Sequence, residues 1–254
     1  AVTVTSLTPA GAEPHDLELA PAQVATMSKA DLVVFLSGFQ PAVDTAVTEV
    51  SPSAIDVAGA ARLQDAAHEE EHDHDAEEAH DHGGVDPHFW LDLVRLADAG
   101  DAVAEALAQA APERASEFEA AAAVLRTELE ELDETFRAGL ASCESSTIVV
   151  AHEAYGYLTS AYGLEQAGIS GIDPDAEPSP ARLREIEKVV KDEGVSVIFT
   201  ESLIDPAVAQ VLASDLGLST AVLDPLENLA PGATDYRGVM DSNLASLRDA
   251  LACA

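Results

Sequence analysis

Three histidines are candidates for chemistry, because each stands where a strand should end or a loop should turn back. His15 lies in Glu-Pro-His-Asp, His88 lies in Asp-Pro-His-Phe-Trp, and His152 follows the apolar residues 146–151. In an open parallel sheet, ligands gather beyond the carboxyl ends of the strands, so these imidazoles could converge. Asp224 ends another apolar stretch in the same way. Three imidazoles and one carboxylate form a tetrahedral ligand set that suits Zn²⁺.

These four residues also have ordinary roles, which periodicity and spacing leave open. A histidine at the end of a strand is usually a plain polar residue. The three histidines are too far apart in the sequence to form a local ligand motif such as His-x-x-x-His. Asp224 precedes Pro225, and Asp-Pro is a common turn signal.

A second group of histidines lies in an acidic segment, residues 65–86. The segment has ten acidic residues, no Lys or Arg, and five histidines, which are His68, His72, His74, His80 and His82. It has too few apolar side chains to offset the entropy cost of ordering, so we expect a mobile loop. Flexible imidazoles among carboxylates predict weak auxiliary binding of metal, and a solvated acidic linker is the plain alternative.

The composition excludes several classes of function. The 254 residues include 12 Lys or Arg and 47 Asp or Glu, which gives a formal net charge of −35. A surface this acidic offers no basic face to nucleic acid or anionic lipid, whereas it attracts cations. No apolar run approaches the ~20 residues of a membrane span, so no transmembrane segment is predicted. The first residues are strand-like and lack a signal-peptide pattern, which predicts a mature or trimmed chain.

Strand-like and helix-like segments alternate in the first and last thirds of the chain. Predicted strands cover residues 2–7, 31–37, 54–57, 146–151, 164–170, 195–200 and 219–223. Predicted helices cover residues 21–30, 41–50, 92–110, 112–140, 154–162, 180–193, 206–216 and 235–251. This order predicts an α/β fold of two lobes with parallel sheets flanked by helices, joined by one long helix. We expect the lobes at 1–111 and 141–254, and the connecting helix at 112–140.

The long helix should bury one stripe of apolar residues. Its apolar side chains recur every three or four positions, which is typical of one buried face. These side chains are Phe118, Ala122, Leu125, Leu129, Leu132, Phe136 and Leu140. At 1.5 Å per residue the helix would be roughly 42 Å long, which is enough to bridge two lobes.

Several of these segments together resemble one protein family. They are Glu-Pro-His-Asp, the acidic histidine-rich segment, Asp-Pro-His-Phe-Trp-Leu-Asp, Val-Val-Ala-His-Glu-Ala-Tyr-Gly-Tyr, Phe-Thr-Glu and Leu-Asp-Pro-Leu. In this order they resemble the zinc-specific solute-binding proteins of bacterial ABC transporters, the cluster A-I or ZnuA-like family. Members of that family usually begin with an extra strand and helix before the part that matches residues 2–7, and here these are absent.

The resemblance implies a set of metal ligands in a cleft between the lobes. His15, His88 and His152 fall on the family's three histidine ligands, and Asp224 falls on the carboxylate that completes the site in many members. Glu13 or a water molecule is the alternative fourth ligand. Manganese-binding relatives tend to have glutamate where this chain has His152, and nitrogen ligands favour zinc, although other late transition metals also bind imidazole.

The resemblance also implies a function, which is transport and not catalysis. We expect an extracytoplasmic, monomeric protein that binds Zn²⁺ tightly and delivers it to the permease of an ABC transporter. The expected location is the periplasm or the cell surface, with a signal sequence and a lipid anchor before Ala1 as options. One alternative is a zinc hydrolase in which Glu153 or Glu201 activates water, although either glutamate could instead orient the ligands. A surface adhesin stabilised by metal is another alternative.

The two cysteines, Cys143 and Cys253, are far apart in the sequence and form no Cys-x-x-Cys motif. They could form one disulfide in an oxidising compartment, or remain two buried thiols. Metal binding by this pair is not expected, because no further cysteine supports it.

Overall fold

The computed structural model describes residues 2–50, 53–64, 85–202, 205–228 and 235–254. The expected α/β fold, with two lobes of parallel strands and helices and one long connecting helix, is confirmed. The auxiliary histidines of the acidic segment lie outside the described residues. Within the described ranges, no helix is both long and apolar enough to cross a membrane.

The first lobe contains a small parallel sheet. Strands β1 (Val33–Phe35) and β2 (Ala54–Asp56) pair in parallel, with Val33 opposite Ala54. The helices that flank this part of the chain are α1 (Pro21–Met27), α2 (Pro41–Val50) and α3 (Ala58–Ala61). A small core holds them together, formed by Leu17, Met27, Val33, Val43 and Ala46.

The strand expected at residues 2–7 is wrong, because this segment has no strand pairing. Its alternating Val-Thr pattern is typical of a strand with one buried face. In the structure, however, Val2 is 48% exposed and Val4 is 87% exposed. Alternation can only produce a strand where a neighbour supplies hydrogen bonds and a surface to cover the apolar face, and neither β1 nor β2 pairs with this segment.

Two helices follow, and the second of them is the long helix between the lobes. Helix α4 (Leu93–Ala110) begins after Asp92, whose carboxylate accepts hydrogen bonds from the backbone of Val94 and Arg95. A short 3₁₀ helix at Pro112–Arg114 leads into α5 (Ala115–Leu140). Its 26 residues correspond to about 39 Å.

The apolar stripe of α5 is only partly buried. Phe118, Leu129, Leu132, Phe136 and Leu140 are buried as expected. Leu125 departs from the expectation and is 40% exposed, because it faces an open apolar cavity of about 390 Å³ between α4, α5 and the first-lobe sheet. Helix α5 is therefore tightly packed mainly along its second half.

The second lobe contains a sheet of four parallel strands in the order β4-β3-β5-β6. The strands are β3 (Thr147–Val150), β4 (Glu165–Gly168), β5 (Val197–Thr200) and β6 (Ser219–Val222). The helices are α6 (Gly156–Tyr162), α7 (Pro180–Glu193), α8 (Ala207–Leu216) and α9 (Tyr236–Ala250). All four residues of β3 are buried, which is the pattern of a strand covered on both faces.

A disulfide between Cys143 and Cys253 closes the second lobe. It joins the segment after α5 to the end of α9, and the backbone N–H of Ala254 also donates to the carbonyl of Ser142 at 2.9 Å. The carboxyl-terminal helix is therefore tied to the point where the chain enters this lobe.

Candidate metal centre

The second lobe places His152 and Glu201 side by side. His152 follows β3, Glu201 follows β5, and these two strands are neighbours in the sheet. Both side chains are almost fully buried, and Nδ1–H of His152 donates to Oε1 of Glu201 at 2.7 Å. This bond fixes the imidazole ring and leaves its Nε2 directed away from Glu201 and toward the space between the lobes.

The first lobe holds His88 in a similar way. Oδ1 of Asp86 accepts hydrogen bonds from the backbone N–H of His88 at 2.9 Å and from Nδ1–H of the same residue at 2.7 Å. His88 is fully buried, and a short 3₁₀ helix at Phe89–Leu91 follows it directly. The Nε2 of His88, which Asp86 does not contact, is again the ring nitrogen available to a metal ion.

His15 lies on the loop that precedes α1 and is held more loosely. Its backbone N–H donates to Oε1 of Glu13 at 2.9 Å, and its ring meets the edge of Phe39 at a centroid distance of 4.9 Å. The side chain is 13% exposed. Among the described residues, no hydrogen bond is made to its Nδ1, so this ring lacks the carboxylate partner at Nδ1 that His88 and His152 have.

The carboxylate that joins the histidines belongs to Glu227 and not to Asp224. Oδ1 of Asp224 accepts a hydrogen bond from the backbone N–H of Leu226, and the Asp224 backbone is paired with the side chain of Asn243. Leu226 has a left-handed backbone with φ 56°. Asp224 therefore shapes the turn after β6, and this turn carries Glu227 into the space between the lobes.

Four donor atoms meet at this point: Nε2 of His15, Nε2 of His88, Nε2 of His152 and Oε1 of Glu227. All lie within 4.8 Å of one another. The carboxylate oxygen is 3.1 Å from His15, 2.9 Å from His88 and 3.2 Å from His152, and the first two imidazoles are 3.3 Å apart. A tetrahedral ion with bonds of 2.0–2.1 Å needs ligand atoms about 3.3 Å apart, so the spacing suits zinc.

The electrostatics of the cluster favour positive charge at its centre. Burial alone would lower the pKa of His152, but hydrogen bonds to Glu201 and Glu227 outweigh burial and raise that pKa to about 10. The same balance of burial against hydrogen bonds, here to Asp86 and Glu227, raises the pKa of His88. Burial would raise the pKa of Glu227, yet the hydrogen bonds from the three histidines lower it far below its usual range.

Comparison with known proteins shows the family to which this donor set belongs. The family model described as "Zinc-uptake complex component A periplasmic", ZnuA, matches residues 1–250. The chain belongs to the ZnuA family. The zinc-binding lipoprotein AdcA of Streptococcus pneumoniae is 34% identical over 247 residues, which cover 94% of this chain and 49% of AdcA. The high-affinity zinc uptake system protein ZnuA of Bacillus subtilis is 31% identical over 256 residues, which cover 98% of this chain and 80% of that protein.

Solved structures show the same architecture. The ZnuA-like domain of Streptococcus pneumoniae AdcA with bound Zn(II) superposes with a TM-score of 0.76 at 30% identity, covering 96% of this chain and 89% of that one. Lmb of Streptococcus agalactiae, described as a bifunctional protein with adhesin and metal transporting activity, has a TM-score of 0.82 at 28% identity and covers 95% and 88%. This ZnuA-family chain spans about half the length of the AdcA proteins it matches.

The remaining predicted residues of this ZnuA-family chain lie at the edge of the cluster. Glu13 binds the backbone N–H groups of His15 and Asp16 with its two carboxylate oxygens, and burial raises its pKa. Glu153 does not reach the donor atoms, because its Oε1 accepts a hydrogen bond from Arg182 at 2.8 Å. A cavity of about 280 Å³ lies beside His152, and its lining includes Glu13 together with the acidic residues Asp175, Glu177 and Asp205.

Aromatic side chains cover the first-lobe side of the cluster. The ring of Trp90 lies 5.4 Å from that of His88 and 5.7 Å from that of Phe39. Its Nε1–H donates to the carbonyl of Pro225 at 2.7 Å, in the turn that carries Glu227. Trp90 therefore links the histidine of one lobe to the carboxylate-bearing turn of the other.

Sequence reasoning missed two residues of this arrangement, Asp86 and Glu227. Asp86 precedes His88 by two positions in Asp-Pro-His, where a carboxylate can turn back onto the backbone, and this signal was available. Glu227 is the first carboxylate after the Asp-Pro turn. The turn signal predicts that the chain reverses there, but not which side chain it directs inward.

Proposed function

We propose that this chain is an extracytoplasmic Zn²⁺-binding protein that delivers its metal to the permease of an ABC transporter. The observation that carries the proposal is the meeting of three imidazole nitrogens and one carboxylate oxygen within 4.8 Å at the junction of the two lobes. These four atoms are offered as the metal ligands, so Glu227 takes the place expected for Asp224, Glu13 or water. Membership of the ZnuA family and the zinc-binding names of the relatives support the same reading.

The completeness of the donor set favours a carrier over a hydrolase. A catalytic zinc keeps one position open for the water it activates, whereas four protein ligands close a tetrahedral sphere. Glu201 instead holds the Nδ1–H of His152 with its Oε1, as a carboxylate that orients a ligand does. Glu153 is paired with Arg182. Both glutamates thus have partners other than the four donor atoms, which favours roles in orienting the site.

The donor types favour zinc over manganese. Three nitrogens and one oxygen suit Zn²⁺ and other late transition metals, while Mn²⁺ prefers a larger number of oxygen ligands. The carboxylates on His88 and His152 hold the Nδ1–H tautomer, which leaves Nε2 as the lone-pair donor.

The proposal also covers the cellular compartment, the oligomeric state and the lobe boundaries of the protein. The disulfide between Cys143 and Cys253 suits an oxidising compartment outside the cytoplasm. The strong negative charge favours attraction of cations to the cleft. We propose a monomer with lobes at 1–111 and 141–254 joined by the helix at 112–140, and a weak auxiliary role for the histidines of the acidic segment.

Calorimetric titration with Zn²⁺ and with Mn²⁺ tests the proposal. Wild type, His88→Ala and His68→Ala are compared, because His68→Ala removes an imidazole that is not one of the four proposed ligands. We expect one tight zinc equivalent in wild type and in His68→Ala, its loss in His88→Ala, and weaker binding of manganese. The metal-free protein should remain folded by circular dichroism, as a carrier requires.

Two results would contradict this proposal. Tight zinc binding that survives in His88→Ala would show that another set of residues holds the metal. An exchangeable water on the cobalt-substituted protein, detected by a change in its visible spectrum with small anions, would favour the hydrolase.

A further inference from the structure

We propose that Gly156 and Tyr157, the first two residues of α6, form a seat for Asp86 and thereby position the imidazole of His88. This inference rests on the proposed function, because the affected property is the binding of metal by His88. Neither residue touches the donor atoms, so both are positioning residues that act through Asp86.

Tyr157 fixes the backbone of Asp86 by a closed set of hydrogen bonds. The Tyr157 hydroxyl donates to the carbonyl of Asp86 at 2.8 Å and accepts the backbone N–H of Gln64 at 2.8 Å. The backbone N–H of Asp86 in turn donates to the carbonyl of Gln64 at 3.0 Å. One hydroxyl thus joins two backbone segments, and the Tyr157 side chain is buried, so water cannot easily replace it.

Gly156 leaves space for the other end of Asp86, its carboxylate. A Cβ atom at Gly156 would lie 2.7 Å from Oδ2 of Asp86, which is closer than real contacts allow. The absence of a side chain at this position is therefore what leaves room for the carboxylate. Oδ1 of the same group binds both the backbone N–H and the Nδ1–H of His88. Any displacement of the carboxylate is passed directly to the imidazole.

The seat also connects the two lobes. Helix α6 belongs to the second lobe, yet the ring of Tyr157 packs in a core with Val57, Ala61, Phe89 and Ala99 of the first lobe. The guanidinium of Arg95 lies 4.8 Å from the centroid of the same ring. The orientation of His88, a first-lobe ligand, therefore depends on a helix of the other lobe.

The test compares two variants of the seat with two matched controls. Tyr157→Phe removes the hydroxyl, and its control Tyr162→Phe removes a hydroxyl at the far end of α6 that donates to Asp133. Gly156→Ala adds the obstructing methyl, and its control Gly59→Ala adds a methyl in α3, where a Cβ meets nothing within 4 Å. Zinc affinity is measured by competition with a chelator, and the visible spectrum of the cobalt-substituted protein reports ligand geometry.

We expect Tyr157→Phe and Gly156→Ala each to weaken zinc binding by roughly 3- to 10-fold, somewhat less than loss of a direct partner of a metal ligand. Their cobalt spectra should shift, whereas both controls should stay within about twofold of wild type in affinity and keep the wild-type spectrum. If Tyr157→Phe loses as much thermal stability as Tyr162→Phe but binds zinc like wild type, Tyr157 is merely structural and the inference is overturned. If Tyr157→Phe folds poorly, Gly156→Ala decides instead, and wild-type zinc affinity in that variant would overturn the inference. Failure of wild type to bind zinc tightly would instead overturn the proposed function.

Discussion

His88 and His152 are held in the cleft in a different way from His15. Each of the first two is buried, and each gives its Nδ1–H to a buried carboxylate at 2.7 Å, Asp86 or Glu201. His15 sits on a loop, is 13% exposed, and packs against Phe39 without such a carboxylate. Two of the histidines are thus preorganised on their lobes, while within the described ranges the ring of the third has no carboxylate on its Nδ1 and contacts a carboxylate only through Glu227.

The difference bears on how a carrier can both bind and release an ion. A rigid pair of ligands reduces the entropy lost on binding, whereas a ligand on a loop can leave the ion at a lower cost. The lobes show the same contrast, because the sheet that ends at His152 has four strands, whereas the first-lobe sheet has two strands in the part of the chain that the structure describes. We therefore expect the second lobe to keep its geometry while the His15 loop adjusts.

The largest expected effect is a loss of zinc affinity, and it should differ between the buried His88 and the loop residue His15. If the roughly 10–16 kcal/mol of a structural zinc site is shared by four ligands, each contributes about 3 kcal/mol, or at least ~100-fold in affinity. We expect this loss for His88→Ala. For His15→Ala we expect only about tenfold, because water can reach the vacant position and replace the imidazole. Chelator competition with zinc measures both.

Equal losses of zinc affinity in His88→Ala and His15→Ala would contradict the distinction between a rigidly held and a loosely held histidine. A faster release of zinc from His15→Ala than from wild type, measured by stopped-flow fluorescence of Trp90, would sharpen it. Trp90 is the only tryptophan, and its ring lies 5.4 Å from that of His88, so its emission should respond to metal.

An intermediate loss of zinc affinity should distinguish Glu227, a proposed ligand, from Asp224, a residue of the turn. Glu227→Ala removes a donor atom and should weaken zinc binding by roughly 30-fold. Asp224→Ala removes an acceptor in the turn and should lower thermal stability by about 1 kcal/mol, with a smaller change in zinc affinity. Isothermal titration and thermal unfolding of both variants measure the two properties. The reverse order of zinc affinities would return the ligand role to Asp224.

The last prediction concerns the dependence of zinc affinity on pH, which is gradual and accumulates over several pH units. Zinc requires neutral imidazoles, while hydrogen bonds to carboxylates outweigh burial and raise the pKa of His88 and that of His152. Protons therefore compete with zinc near neutral pH, so affinity should fall as the pH falls, by about tenfold per unit for each proton displaced. Competition titrations between pH 8 and pH 6 measure this slope.

The control for the pH experiment is Glu201→Gln, in which a neutral amide replaces the carboxylate that favours the protonated imidazole. Its affinity should depend less steeply on pH above pH 7. A zinc affinity that is constant from pH 8 to pH 6 in wild type would contradict the role of the imidazoles as ligands.

Local signals predicted most of the regular structure. Helix α2 runs over the predicted 41–50 and α7 begins at Pro180 after the Ser179 cap, because apolar spacing and capping residues act within a few positions. The segment at 2–7 has an equally clear local pattern and forms no strand. A strand depends on a partner that lies elsewhere in the chain, which a local pattern does not contain.

The sequence by itself named the three histidines as candidates, partly because they follow strand-like or loop segments and mainly because the segments around them resemble one family. The tertiary structure decided which carboxylate contacts all three imidazoles and which side chains orient the imidazole rings. Glu227 reaches the cluster through the turn at Asp224 and Leu226, and Asp86 is placed by Tyr157 from the other lobe. These contacts follow from the direction of a turn and the apposition of two lobes, and no local pattern of residue types encodes either one.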